Sequence, residues 1–137
     1  MTFCNSLLTL NASHSSHHFQ RNLKLALSLE NDFWVAVQKG KVHRFEEMIS
    51  SDFQGFNSDG SYDKKQQIKG FKAASLLGFG INNPVVTREG DNLIFSYTLI
   101  AIGNGITSGP QITMWRKHHS AWKVITHSYV PFNPITQ

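Results

Sequence analysis

Apolar residues follow two different rhythms along this chain, and the change between them divides it. Over residues 23–39 the spacing is helical: Ala26, Leu29, Phe33 and Val37 form one stripe, which Leu27 and Trp34 widen. Gly40 follows, the residue type that most readily takes the left-handed turn closing a helix. A shorter helix is expected over residues 42–49, with Val42, Phe45, Met48 and Ile49 facing inward. Residues 52–57, then Ser58-Asp59-Gly60, then Ser61-Tyr62 read as a small hairpin about an Asp-Gly turn. A third helix starts after Asp63, which can cap it, and Gln66 three residues on completes a capping box. Its apolar face carries Ile68, Phe71, Ala74 and either Leu77 or Ser75, and Gly78 and Gly80 are expected to end it.

After Pro84 the period becomes two. Residues 85–88, 93–102, 111–117 and 122–130 read as four strands, joined by turn-rich connectors at 89–92, 103–109 and 118–121. With no helix between them an antiparallel meander is expected and a parallel sheet is not, so the fold class is α+β. Along residues 93–102 both faces are apolar, with Leu93, Phe95, Tyr97 and Leu99 on one and Ile94, Ile100 and Ile102 on the other. In an antiparallel sheet this argues that the outer face is covered too, and a homodimer packed through that face is the economical reading. In the last strand His127 shares a face with Ile125 and Tyr129, while Trp122, Val124 and Thr126 share the other. A one-residue slip exchanges the two sets, and either could be the inside.

Composition narrows the class. A chain of 137 residues, 40% hydrophobic and 12% aromatic, suits one domain with a core and a lined cavity. Residues 1–21 are rich in Ser, His and Asn without a period and read as a flexible tail; residues 22–133 form the domain and 134–137 a C-terminal tail. The lone Cys4 excludes an internal disulfide and a finger-type zinc site. His14, His17 and His18 have no acidic or Cys neighbour, so no metal is expected there beyond adventitious binding, and no motif calls for a cofactor. The net charge of +4 is spread over single or paired basic residues, such as Lys64–Lys65 and Arg116–Lys117, which argues against nucleic-acid binding. No run approaches the ~20 apolar residues of a membrane span. Residues 1–10 lack the basic start and small-residue cleavage site of a secretory signal, so a cytoplasmic protein is expected.

Four short segments, taken in order, carry a resemblance. They are Glu30-Asn31-Asp32-Phe33-Trp34 with Gly40; Ser51-Asp52-Phe53; Gly90-Asp91-Asn92-Leu93-Ile94-Phe95-Ser96-Tyr97; and Met114-Trp115-Arg116-Lys117 leading through Ala121-Trp122-Lys123-Val124-Ile125-Thr126-His127. Across residues 24–130 the chain resembles the nuclear transport factor 2-like superfamily and, within it, the SnoaL-like branch. The resemblance implies a cone: three N-terminal helices packed on a curved, mainly antiparallel sheet, with a pocket between and dimerisation through the sheet's outer face. It implies no single activity, since enzymes, transport factors and oligomerisation domains share this scaffold. Isomerase-like members use an acidic general base with a Tyr-containing oxyanion hole. Here Glu89 and Asp91 lie in a turn and the other acids are read at helix or hairpin ends, which leaves that base without a candidate.

Tyr97 and His127 are the candidate catalytic residues. A buried His can act as acid or base near neutrality, and a Tyr hydroxyl can polarise a carbonyl. Trp34, Phe53, Tyr62, Phe71 and Trp115 join them as the expected lining of an apolar, aromatic pocket for a small apolar or aromatic molecule. Each is also explicable as core with its polar tip satisfied. Two readings therefore stand. One is a small-molecule-binding protein, whose catalytic form is a cofactor-independent lyase or isomerase; the alternative is a non-catalytic dimerisation or protein-interaction module.

Overall fold

The computed structural model describes residues 4–132, with side chains from residue 16 onward. Helices α1 (Cys4–Gln38) and α2 (Val42–Met48) lead into a hairpin of β1 (Ile49–Asn57) and β2 (Gly60–Asp63). Helix α3 (Lys64–Ala73) follows, and then β3 (Ser75–Glu89), β4 (Asn92–Asn104), β5 (Gly109–His118) and β6 (Ala121–Tyr129). The strands form one six-stranded sheet in the order β2-β1-β6-β5-β4-β3. Every neighbouring pair is antiparallel except β1 and β6, which run parallel, so the sheet is mainly antiparallel as expected. The parallel pair is not readable from the meander, because its partners are separated by four strands and a helix.

One face of α1 packs on the sheet through Ala26, Phe33, Trp34 and Val37, all buried. The helix also runs back through residues 4–21, which their polarity had assigned to a tail. Extending a helix already fixed by packing costs little compared with nucleating one, so this polar stretch continues the spiral with side chains 16–20 exposed. The expected C-terminal tail at 134–137 lies outside the described residues. At its other end α1 stops where Gly40 takes φ +64°.

The Asp63 box starts α3: its carboxylate accepts from the Gln66 amide N–H, and the Gln66 side chain accepts from the Asp63 N–H, both at 2.9 Å. The helix ends earlier than expected. Ala74 is already extended, and Gly78 and Gly80 lie inside β3, paired with Ile102 and Ile100, instead of terminating α3. Long-range pairing with β4 outweighs the local glycine signal. Pro84 sits within β3 as well, where the register shifts between Asn82 and Val85. A bulge on an edge strand is where a residue without an N–H is tolerated.

Leu93, Phe95, Tyr97 and Leu99 point from β4 into the core, while Gln111, Thr113 and Trp115 do so from β5. That makes β5 unusual: two polar residues face in while Ile112, between them, is exposed. Ile112 belongs to a row that crosses the outer face, from Phe56 through Ser128, Ile112 and Ser96 to Val85.

Candidate functional site

The inward polar residues of β5 have a partner that the sequence reading overlooked. Glu30, halfway along the apolar stripe of α1, is 1% exposed. Its Oε1 accepts hydrogen bonds from the Tyr97 hydroxyl at 2.5 Å and from Thr113 Oγ1 at 2.8 Å. Its Oε2 accepts from Trp115 Nε1 at 2.8 Å. Trp34 Nε1 in turn donates to the Tyr97 hydroxyl oxygen at 2.9 Å. Burial pushes the Glu30 carboxyl above the usual carboxylate range, against the pull of the three donors. Burial, and then the charge of Glu30, raise Tyr97 well above an ordinary phenol.

A second amide links this cluster to a cavity. Gln111 Nε2 donates to the Thr107 carbonyl at 3.3 Å, which turns Oε1 the other way. That oxygen lies 2.8 Å from His127 Nε2 and 3.4 Å from the Tyr97 hydroxyl. Because Oε1 can only accept, His127 carries its proton on Nε2 and presents the Nδ1 lone pair. Nδ1 has no hydrogen-bond partner among the described residues, and it is not among the atoms sealed from water. Burial pulls the His127 pKa down to about 4, so the ring is neutral at pH 7.

The cavity that His127 lines has a volume of about 240 Å³ and lies between α1, α3, the hairpin and the loop after β4. Trp34, Phe71, Tyr62 and Tyr129 supply aromatic walls, and Asn57, Gln66, Gln67 and Thr107 bring amides and a hydroxyl. Trp34 meets Phe71 and His127 edge-on at ring distances of 5.8 and 6.2 Å. Tyr62 is held over Gly55, where even a Cβ would fall 2.1 Å from its ring, and its hydroxyl donates to the His127 carbonyl at 3.2 Å. Glycine is required at 55 because the aromatic ring occupies the place of its side chain.

Of the seven residues read as pocket lining, Trp34, Tyr62, Phe71 and His127 are brought together. The other three stand behind them: Phe53 packs beside Tyr62, and Tyr97 and Trp115 are committed to Glu30. Tyr97 is therefore not placed to polarise a ligand carbonyl. The expected apolar wall is in fact mixed, with amides as prominent as aromatic rings. His127 and Tyr129 line the cavity, but Val124 of the other set is buried too: the register shift at Met114 and Trp115 pairs Val124 with Trp115 and His127 with Thr113, so neither set alone is the inside. Glu30 was missed because it was grouped with acids at helix ends. It sits four residues after Ala26 and three before Phe33, so an acid on the apolar stripe was the available signal. Gln111 and Thr113 alternate with Ile112 and gave a reversed pattern that pointed to the same cluster. Among the described residues, no three His, Cys, Asp or Glu side chains are grouped to hold a metal ion.

The element order and sheet match solved structures. A nuclear transport factor 2-like protein from Cytophaga hutchinsonii superposes with a TM-score of 0.73 at 17% identity, over 80% of this chain and 97% of that one. The chain has the nuclear transport factor 2-like fold. A second such protein, from Pseudomonas putida and of unknown function, gives a TM-score of 0.67 at 14% identity over 86% and 92% of the two chains. A protein from Parabacteroides distasonis, provisionally named as a ketosteroid isomerase, gives 0.61 at 18% identity over 79% and 87%. The sequence matches no protein-family model and no curated protein sequence. Within the nuclear transport factor 2-like fold the cavity lies between helices and sheet, and no helix among the described residues is long and apolar enough to cross a membrane.

Proposed function

We propose that this chain binds a small molecule in the cavity walled by Trp34, Phe71, Tyr62 and His127. The observation that carries this reading is the His127 ring, which lines the cavity and whose Nε2 is engaged by Gln111, leaving Nδ1 without a partner among the described residues. A base near pKa 4 accepts a hydrogen bond readily but is far from the operating pH that favours proton abstraction. Binding is thus the primary function, and a cofactor-independent lyase or isomerase is its catalytic form. In that form His127 takes the proton, and Tyr97 acts only through Gln111 and Glu30. The likeness to a provisionally named ketosteroid isomerase and the SnoaL-like segments support such pocket chemistry. A thermal-shift screen against aromatic, steroid-like and polyketide-like compounds tests the reading. A ligand at 100 times its Kd adds about 2.7 kcal/mol, several degrees in Tm. The shift should vanish in a folded His127→Ala variant, and a diverse panel without any shift would count against the reading.

A second reading concerns the other side of the sheet. Phe56, Val85 and Ile102 are each more than half exposed on strands, and Ile112 and Ile100 lie between them. This apolar face supports a homodimer packed through the outer sheet, or another protein docked there. Sedimentation at micromolar concentration should give twice the chain mass, and a Phe56→Asp, Ile112→Asp variant should give the chain mass. A monomeric wild type would remove the dimer.

A further inference from the structure

The walls of the cavity restrict the chemistry of its occupant, an inference that rests on the binding reading above. No Asp, Glu, Lys or Arg lines it, although the chain carries 22 such residues. An ion entering between Trp34 and Phe71 would lose hydration without gaining a counter-charge, which is costly. The polar groups present are neutral donors and acceptors. Tyr62 has spent its proton on the His127 carbonyl, and one of the two Gln111 amide protons goes to Thr107. His127 Nδ1 is thereby left as an acceptor without a partner among the described residues, whereas Gln67 Oε1, also unpartnered, is sealed from the cavity's solvent. Tyr129 accepts from Asn57 Nδ2 at 3.1 Å and so keeps its own O–H for a ligand acceptor.

Size adds a further limit. At ~30 Å³ per water the space of about 240 Å³ holds about eight waters, just under the range typical of drug-sized ligands. We propose that the cavity takes an uncharged one- or two-ring molecule bearing hydroxyl or amide groups, with an O–H or N–H donated to His127 Nδ1. Its apolar body packs on Trp34 and Phe71, and its second polar group accepts from the Tyr129 hydroxyl.

A matched set of probes tests this without knowledge of the natural ligand: 2-naphthol, 2-naphthamide, naphthalene-2-carboxylate, 2-naphthylmethylammonium and 2-methylnaphthalene. Each is titrated into the full chain at pH 7.5 and followed by ligand-observed NMR. The side-chain ¹⁵N signals of His127 provide a second readout. The neutral donors should bind at least tenfold more tightly than the other three and should move the Nδ1 resonance. Preference for the carboxylate or the ammonium, or equal binding of methylnaphthalene, would overturn the ligand class while leaving the cavity a binding site. If none of the five binds, the binding reading itself falls. Wild-type selectivity decides the matter, and a folded His127→Phe variant should keep methylnaphthalene affinity while losing the tenfold preference.

Discussion

Replacing Glu30 with leucine keeps the bulk of the side chain and removes both acceptor oxygens from the centre of the core. Three donors converge there. Tyr97 can turn toward Gln111 Oε1, already 3.4 Å away, but Trp115 Nε1 is donor-only and Thr113 has no other partner. Two buried donors left unmade, at ~1–3 kcal/mol each, give a loss of about 4 kcal/mol. Relief from desolvating the carboxyl offsets part of this, since burial is what raises its pKa. Glutamine is the informative control. Its carbonyl can face Trp115, and its NH₂ can donate to the Thr113 and Tyr97 oxygens, so the loss should be about 1 kcal/mol. For 137 residues at ~2.1 cal/mol/K each, 1 kcal/mol is about 3.5 °C in Tm. Urea unfolding with an unchanged m-value, supported by calorimetry, should therefore place Glu30→Leu about 14 °C below wild type and Glu30→Gln within a few degrees. A leucine variant as stable as the glutamine variant would show that the donors are not organised by the acid, and the argument would fail.

Acid should destabilise the fold through His127. Its folded pKa of about 4 lies below the ordinary 6.5, so the unfolded chain binds more protons between those values. Its contribution is complete above pH 6.5 and falls as the pH drops toward 4, by at most ~1.4 kcal/mol per unit. Glu30 acts in the opposite sense: its raised pKa means that its contribution weakens as the pH rises above 4.5. Urea midpoints from pH 4 to 7 should show a shallower slope in His127→Phe than in wild type, and identical slopes would contradict the assignment. Gly55→Ala should displace the Tyr62 ring, since the added Cβ would sit 2.1 Å from it. Overpacking of this kind costs about 1–3 kcal/mol, and unaltered stability and Tyr62 position would refute it.

The chain's two rhythms made most elements legible. The stripe on α1, the Asp63 box and the alternation of β4 follow from local chemistry, and the structure places elements there. What was not legible depends on distant partners. The glycines of β3 looked like helix breakers because their pairing with Ile100 and Ile102 lies about twenty residues ahead. The parallel contact of β1 with β6 likewise has no local mark. At the site the aromatic residues were recognisable individually, but not which of them face the cavity. Trp115 shares its strand's inward face with the lining residue Gln111, Tyr97 pairs with Gln111 across the sheet, and only the position of Glu30 diverts them. The amide wall escaped notice because Asn57, Gln66 and Gln67 belong to a turn and a helix start, where such residues have ordinary structural uses.

A crystal of the full chain soaked with a diverse fragment library gives the most direct test of the cavity as the working site. Fragments should gather between Trp34 and Phe71, with a donor about 3 Å from His127 Nδ1. Fragments found only on the outer sheet around Phe56 and Ile112, with the cavity empty throughout, would contradict the account.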